Sequence, residues 1–209
     1  MNTLNASRFD SLRTGSLQWL PELGLGWFPV EESPYDAGYW ERYRRMDTTS
    51  TAESLTQARS EWVRRFWSGQ VCDIGIGGGR FVTETGATGF DINPHAEEWL
   101  RRAGRWQNPY TSQLDAVTCW DSLEHIHDPA PLLANVREWV FASLPIFDGP
   151  DHVLRSKHYR RDEHCWYFTH AGLIGFMERQ GFQFADSCTM EQDCGREDIH
   201  TYAFHRSDK

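Results

Sequence analysis

No uninterrupted apolar run of about 18 residues occurs in this sequence, so nothing in it is long enough to cross a membrane as a helix. We also expect no signal peptide, and we find no internal repeat and no low-complexity segment. The composition is typical of a soluble globular protein, with 39% hydrophobic and 24% charged residues. At 209 residues the chain is long enough to bury a core, and we expect one domain.

Cysteine is also scarce, with five residues, an odd number that includes no Cys-x-x-Cys pair. Cys72 and Cys119 lie in predicted central strands, where a free thiol behaves as a small hydrophobic side chain. The pattern therefore predicts reduced cysteines and a cytoplasmic protein.

Positive charge is in deficit, with 21 Lys and Arg against 30 Asp and Glu and a net charge of −9. A broad electrostatic grip on nucleic acid needs clustered Lys and Arg, so this balance argues against one. It does not exclude a nucleic-acid partner, because one local basic patch remains. The patch consists of Arg155, Lys157, Arg160 and Arg161.

A cluster of glycines follows a β-prone run at residues 71–74. Asp73 lies near the end of that run, and the chain then breaks into alternating glycines at Gly75, Gly77 and Gly79. Because glycine has no Cβ, such a turn lets the backbone pass close to a ligand. A second short strand ends in an acid, Asp91, 18 residues after Asp73. A ribose-binding carboxylate is expected roughly 20 residues on, so these features together predict a nucleotide or nucleoside site.

The spacing of the glycines also indicates the kind of ligand. A turn that binds pyrophosphate usually reads Gly-x-Gly-x-x-Gly and directs helix N–H groups at the phosphates. Here the glycines alternate, and an acid before the turn disfavours a phosphate anion while it suits a cationic or hydroxyl-bearing ligand. We therefore predict a nucleoside without phosphates, which disfavours a nicotinamide oxidoreductase.

Helical and strand-like patterns alternate along most of the chain, which predicts a doubly wound α/β sheet. Two segments lack a clear pattern and are expected to be loops: residues 1–34 and the histidine-bearing residues 146–168. The predicted elements are helices at 52–67, 94–102, 130–136 and 173–180, and strands at 71–74, 89–92, 114–120, 139–145, 182–187 and 200–204.

Three motifs in this sequence resemble those of one family. Asp-Ile-Gly-Ile-Gly-Gly-Gly-Arg-Phe at 73–81 looks like the first motif of the class I S-adenosylmethionine-dependent methyltransferases. Asp-Ala-Val-Thr-Cys-Trp-Asp-Ser-Leu-Glu-His-Ile at 115–126 resembles the fourth-strand motif of the branch that includes the ubiquinone-biosynthesis O-methyltransferases. Trp-Tyr-Phe-Thr at 166–169 is similar to a downstream element of that branch. The resemblance spans residues 68–205.

The resemblance implies a Rossmann-like, doubly wound, mostly parallel seven-stranded sheet with an antiparallel C-terminal strand. It implies a methyltransferase domain at 51–209, preceded by an N-terminal extension or lid at 1–50. Aromatic residues recur at helical spacing over 35–43, so that part of the extension is expected to dock as a helix and could also cover the site. The third strand of the family is not visible between Asp91 and Asp115, where Asn108-Pro109-Tyr110 is interpreted as a loop turn.

The resemblance further implies S-adenosylmethionine as the cofactor. The backbone at Gly75, Gly77 and Gly79 would pass under its methionine moiety, and Asp73 would lie near the ammonium group. Asp91 would hold the ribose hydroxyls. Three further residues would complete the cofactor site: Ile92, Trp120 and Asp121.

The acceptor is expected to be a small molecule with a hydroxyl or amine. Methyl transfer mostly needs positioning, with a base only where the nucleophile must lose a proton. His125, His158 and His164 are the candidate bases. His125 could instead be structural or line the pocket, and the loop that carries the other two could be a solvated polar loop.

Three alternatives remain open at this point. A metal could bind among His158, His164 and Cys165, with His152 or His170, but the spacings do not match those of zinc sites, so no metal is predicted. The basic patch could serve a nucleic-acid-modifying methyltransferase. The fold could also be a non-catalytic module that binds a partner through exposed tryptophans.

Overall fold

The computed structural model describes residues 17–30 and 35–207. Predictions that concern residues 1–16, 31–34 and 208–209 lie outside the described residues. The strands are β1 (Gln18–Leu20), β2 (Leu25–Trp27), β3 (Cys72–Ile74), β4 (Thr88–Phe90), β5 (Leu114–Trp120), β6 (Val136–Pro145), β7 (Trp166–Phe168), β8 (Phe182–Cys188) and β9 (Ile199–Arg206).

In the part of the chain that the structure describes, seven α-helices and two 3-10 turns connect these strands. The helices are α1 (Ala37–Met46), α2 (Ser50–Arg64), α3 (Arg80–Thr85), α4 (Pro94–Arg102), α5 (Ala130–Leu133), α6 (Pro150–Arg155) and α7 (His170–Arg179), and the 3-10 turns are Leu123–His125 and Gln192–Cys194.

Polar side chains set the starts of three helices. Thr49 accepts a hydrogen bond from the Ala52 amide at α2, and Asn93 accepts one from His95 at α4, where Pro94 suits the first turn. Thr169 caps α7, because its side chain accepts a hydrogen bond from the Gly172 amide. The helix predicted at 130–136 is shorter than expected, because Val136 already begins β6 and is buried in the sheet.

The main sheet has the strand order β4-β3-β5-β6-β9-β8. The first four strands are parallel, and β9 runs antiparallel between β6 and β8. The chain leaves β3 for β4 on one side and later returns to β5 on the other. Ligands bind outside the carboxyl ends of strands at such a switch point. The predicted doubly wound, mostly parallel sheet with an antiparallel C-terminal strand is confirmed.

The number of strands differs from the prediction, since the main sheet in the described part of the chain has six strands instead of seven. Only residues 103–113 separate α4 from β5, and a turn around Asn108 takes up part of them. What remains forms a single parallel bridge between Gly89 and Trp106 at the outer edge of β4. The segment is therefore too short for a further strand and a crossover.

The prediction that residues 1–34 and 146–168 are loops is wrong for the described parts that form a second, smaller sheet. It has the order β1-β2-β7 and is antiparallel, with Leu25 opposite Phe168 and Trp27 opposite Trp166. Segments 18–20, 25–27 and 166–168, expected to be irregular, are thus strands, and α6 adds a helix within 146–168. Three-residue strands that are buried at every position, as β2 and β7 are, show no alternation that sequence could reveal.

The core lies on both faces of the main sheet. One cluster joins β5 and β6 to α7 and the small sheet through large side chains such as Trp166, Phe176 and Tyr202. The other packs Trp62 of α2 against Phe81 and Phe141. Among the described residues, no helix is both long and apolar enough to span a bilayer. The five cysteines are free.

Candidate active site

A cavity of about 1120 Å³ opens at the carboxyl ends of β3, β4 and β5. Single-ligand pockets usually measure roughly 300–1,000 Å³, so this one has room for a nucleoside and a second small molecule. Its walls come from α1, α2, the glycine turn, the ends of β4 and β5, and the loop that precedes β7. Residues that matter below include Tyr39, Tyr43, Arg59, Asp73, Gly75, Gly77, Asp91, Ile92, Tyr110, Trp120, Asp121, Glu124, His125, His158, Arg160, His164 and Arg196.

The glycine turn requires glycine for two separate reasons. Gly75, Gly77 and Gly79 have φ values of +76°, +56° and +88°, in the region that side chains with a Cβ rarely adopt. A Cβ on Gly75 would also lie 2.7 Å from the Cβ of Ser122, which hydrogen-bonds to the Ile74 carbonyl. The turn therefore holds its backbone tightly against the end of β5, and its open side faces the cavity.

Asp73 forms a buried acidic floor beneath this turn. Its side chain is only 2% exposed, and the Thr118 hydroxyl donates a hydrogen bond of 2.7 Å to Oδ1. Burial raises the pKa of Asp73 to about 7, against the hydrogen bond from Thr118 and the charge of Arg59, while Asp91 and Asp47 add to the rise. A cation in the cavity would favour the ionised carboxylate.

Asp91 ends β4 at the second strand edge of the cavity. It accepts a 2.8 Å hydrogen bond from the Asn93 amide, and burial raises its pKa to about 6. Beside it, Ile92 is 61% exposed and Tyr110 is 41% exposed. Exposed apolar side chains on a concave wall are well placed to pack against a flat ligand such as a nucleobase.

Neighbouring residues engage the side chains of Trp120 and Asp121, which were predicted to border the cofactor site. Trp120 is buried against Phe81, with ring centroids 5.5 Å apart. Asp121 has a φ of +54° and receives two hydrogen bonds from Arg196, at 2.7 and 2.8 Å. Both residues still border the cavity. Their part in cofactor binding stays a prediction.

The contacts of Asp121 belong to a buried ion-pair cluster of two acids and two bases. Arg59 bonds to Asp121 at 3.1 Å and to the fully buried Glu191 at 2.7 Å, and Arg196 contacts the same two acids. Burial by itself raises the pKa of Asp121, but these two arginines outweigh that effect and hold the pKa at about 2. Two positive charges thus match two negative ones beside the cavity.

Two of the three predicted catalytic histidines come together. The rings of His125 and His164 are 4.6 Å apart and nearly perpendicular. Burial lowers the pKa of His125 to about 4 and that of His164 to about 2. His158 also lines the cavity, but its Nε2 atom is 3.0 Å from the Glu197 carbonyl and its ring is engaged there.

Helix α1 packs against the rest of the domain and lines one wall of the cavity. Trp40 packs near Trp99 of α4, and Arg44 donates to the Gly78 carbonyl at 3.2 Å. On the cavity side, Tyr39 and Tyr43 stack with ring centroids 4.7 Å apart.

Comparison with protein families decides the identity of this fold. A family model described as a methyltransferase domain matches residues 40–186, which is more than half of the chain. The chain belongs to the methyltransferase domain family. The predicted class I S-adenosylmethionine-dependent methyltransferase is thereby confirmed, and its cofactor is S-adenosylmethionine.

Solved structures agree with this methyltransferase fold. Magnesium protoporphyrin IX methyltransferase from Synechocystis PCC 6803 with bound SAH has a TM-score of 0.56 at 15% identity, covering 83% of this chain and 96% of that one. A Thermotoga maritima S-adenosylmethionine-dependent methyltransferase has a TM-score of 0.57 at 12% identity, covering 82% and 97%. A chain from the complex between the Haloferax volcanii Trm112 methyltransferase activator and a methyltransferase has a TM-score of 0.63 at 12% identity, covering 86% and 100%. No protein of curated function matches the sequence.

Sequence reasoning missed several residues that shape the site of this methyltransferase. Tyr110 lies in a segment that was interpreted as a loop turn. The segment is a turn, in which the Asn108 side chain accepts a 2.9 Å hydrogen bond from the Tyr110 amide. Arg59 and Arg196 come from α2 and the segment before β9, far from the motifs in sequence. Glu124 stood inside the quoted fourth-strand motif, and its full burial is the feature that sequence did not show.

Proposed function

We propose that this methyltransferase transfers a methyl group from S-adenosylmethionine to a hydroxyl or amine of a small-molecule acceptor. The observation that carries the proposal is a single cavity of about 1120 Å³ with the glycine turn on one side and polar and aromatic walls on the other. Cofactor and acceptor can therefore lie in the same enclosed space, as an in-line displacement requires.

In the proposed cofactor site, the backbone at Gly75 to Gly79 lies under the methionine moiety. Asp73 faces the ammonium group from below, and Asp91 accepts from the ribose hydroxyls. Ile92 and Tyr110, whose side chains are both exposed, pack against the two faces of the adenine ring.

The acceptor side is proposed to lie between α1 and the loop before β7. Tyr39 and Tyr43 supply stacked rings, and His125 and Arg160 supply polar atoms on the opposite wall. Such a mixture suits a compact, partly aromatic acceptor. The name of the Synechocystis relative, a porphyrin methyltransferase, is in keeping with a small-molecule acceptor.

Two finer assignments also remain proposals. The fourth-strand motif at 115–126 supports a place in the branch that resembles the ubiquinone-biosynthesis methyltransferases. The cavity-facing rings of α1 support the division into a covering segment at 1–50 and a catalytic domain at 51–209, although β2 is paired with β7 and so is part of the same packed unit.

The two rival functions find less support. In the basic patch, Lys157 pairs with Glu197 at 2.9 Å and Arg160 with Glu163 at 3.0 Å, which reduces the charge available to a nucleic-acid backbone. A partner-binding module would need exposed tryptophans, yet all ten tryptophans lie in the described ranges and each is buried or half-buried.

Calorimetric titration with S-adenosylhomocysteine tests the cofactor half of the proposal. Asp91→Ala should weaken binding by about 10-fold or more, because two hydroxyl hydrogen bonds to an ionised acceptor are lost. Asp115→Ala is the matched control, since that carboxylate is exposed and makes only a 3.6 Å surface pair with Arg137. Unchanged affinity in the Asp91 variant would contradict the assignment. Transfer of labelled methyl to a panel of phenols and amines then tests the acceptor.

A further inference from the structure

Three potential metal ligands meet at the acceptor end of the cavity. Glu124 and His125 lie in the 3-10 turn that follows β5, and His164 comes from the loop before β7. The oxygen and nitrogen atoms that they can offer all lie within 4.8 Å of one another. Forty residues of sequence separate the two segments, which is why the spacing of histidines and cysteines did not suggest this group.

Hydrogen bonds between the two segments fix this arrangement. The Cys165 amide donates to the Glu124 carbonyl at 2.8 Å, and the Trp166 indole donates to the Ile126 carbonyl at 2.9 Å. The residues on either side of His125 are thus tied directly to those that follow His164. The three side chains are brought together by the backbone, so their proximity does not depend on one another's charge.

The carboxylate of Glu124 lacks the partners that a buried charge needs. It is 1% exposed, and neither oxygen accepts a hydrogen bond from another described residue. The nearby arginines Arg59 and Arg196 are matched by Asp121 and Glu191. An uncompensated buried carboxylate is costly. Glu124 is therefore a buried carboxyl group whose two oxygens have no hydrogen-bond partner among the described residues, and a bound cation would supply one.

Each of the two histidines keeps one ring nitrogen that no other described residue hydrogen-bonds. Nδ1 of His125 and Nδ1 of His164 have no hydrogen-bond partner among the described residues. The Glu124 Oε1 atom is 3.9 Å from Nε2 of His125. Ligand atoms about 2.0–2.2 Å from one zinc ion are roughly 3.3 Å apart, so a contraction of up to about 1.5 Å by side-chain rotation would close the site.

We propose that Glu124, His125 and His164 bind a divalent transition-metal ion of the zinc type. Two imidazoles and one carboxylate form a common ligand set for such ions, and three protein ligands leave a coordination position open. All three residues line the cavity, so the open position faces the acceptor space.

The role of the ion rests on the proposed methyl transfer. An acceptor hydroxyl bound at the open position loses its proton to water more readily, because the metal lowers the pKa of a bound hydroxyl. The oxygen then forms the bond to the methyl carbon, the carbon–sulfur bond breaks, and its electron pair remains on the sulfur of S-adenosylhomocysteine. The metal ion thus favours a hydroxyl over an amine acceptor.

Titration of chelator-treated full-length protein with zinc chloride tests the site, with cobalt absorption as a second measure of coordination. We expect one zinc ion per chain, and losses of about 100-fold or more in zinc affinity for Glu124→Gln and His164→Asn, since even an outer hydrogen-bond partner of a ligand contributes 10–100-fold. His95→Asn, which alters an exposed histidine of α4, should bind zinc like the unaltered protein. Zinc binding that is absent, or that the Glu124 and His164 variants leave unchanged, overturns the proposal.

Titration of S-adenosylhomocysteine in the same preparations separates this proposal from the proposed function. Glu124→Gln replaces the carboxyl group by an amide of nearly the same shape, so the variant should fold and bind S-adenosylhomocysteine as before. Normal S-adenosylhomocysteine binding without zinc binding overturns the metal site alone. Zinc binding without S-adenosylhomocysteine binding would count against the cofactor site and leave the metal site standing.

Discussion

Replacing Asp73 with asparagine should make the protein more stable at neutral and alkaline pH. The pKa of Asp73 in the folded protein is about 7, compared with an ordinary value of 3.8. Between these values the folded state keeps a proton that the unfolded state has lost. The free energy of unfolding therefore falls as the pH rises from about 4 to 7. A pKa difference of about three, at 1.36 kcal/mol each, corresponds to about 4 kcal/mol.

Asp73→Asn removes this dependence while it keeps the local hydrogen bond. The asparagine Oδ1 atom can still accept from the Thr118 hydroxyl, which is 2.7 Å from the present carboxylate. The variant should match the unaltered protein near pH 4 and exceed its free energy of unfolding by up to about 4 kcal/mol at pH 8. The charges that face this position, from Arg59, Asp91 and Asp47, are the same in both proteins and largely cancel in the comparison.

Urea unfolding of both proteins at intervals from pH 5 to pH 8 measures the effect directly. Asp115→Asn, at an exposed carboxylate, serves as the control and should follow the unaltered protein at every pH. If the Asp73 variant and the unaltered protein change stability in parallel over this range, Asp73 is not a buried acid that titrates near 7, and the reasoning is refuted.

The same substitution should weaken the binding of S-adenosylmethionine. The ammonium group of the cofactor favours the ionised carboxylate, so affinity in the unaltered protein should rise with pH up to about 7. In the variant this rise should be lost. Greater stability combined with weaker binding is the signature of an acid whose burial serves the ligand and not the fold.

Two further substitutions test the geometry around the cavity. Gly75→Ala should destabilise the protein by roughly 1–3 kcal/mol and weaken S-adenosylhomocysteine binding, because φ of this residue is positive and the new Cβ would meet Ser122. Gly104→Ala is the control, since Gly104 also has a positive φ but has open space around it among the described residues. This control should lose stability in thermal melts and keep its S-adenosylhomocysteine affinity in calorimetry. Arg196→Ala leaves Glu191 short of a partner and should cost about 3–5 kcal/mol in urea unfolding, whereas loss of the exposed Arg65 partner of Asp186 should cost less than about 1 kcal/mol.

Most of the main sheet could be predicted because its signals are local. Strand β5 and helix α4 have the predicted bounds, since a mostly apolar run over 116–120 and a proline-started amphipathic segment are distinctive. The strands β1, β2 and β7 could not be found, because each has only three residues and because β2 pairs with β7, which is distant in sequence. The segment between Asp91 and Asp115 is too short for a further strand, whereas the family resemblance implied a seven-stranded sheet.

The candidate site divides along the same line. Gly75 and Asp91 were predicted from turn chemistry and spacing, and the structure places both on the cavity. Trp120 and Asp121 were predicted from the end of β5 and also border the cavity, where Phe81 and Arg196 engage their side chains. Whether a side chain faces a ligand or a neighbour depends on what packs beside it, and sequence spacing does not contain that information.

The amino-acid sequence by itself determined the backbone of the cofactor site: a strand, an acid and a turn that only glycine can form. Those properties depend on residues within a few positions of one another, through sterics and capping. The tertiary structure alone decided how charge is distributed around the cavity. It matched Arg59 and Arg196 to two acids, and it brought His164 beside His125 and the buried Glu124. Electrostatic energies depend on distance and burial, which arise only when separate segments pack together.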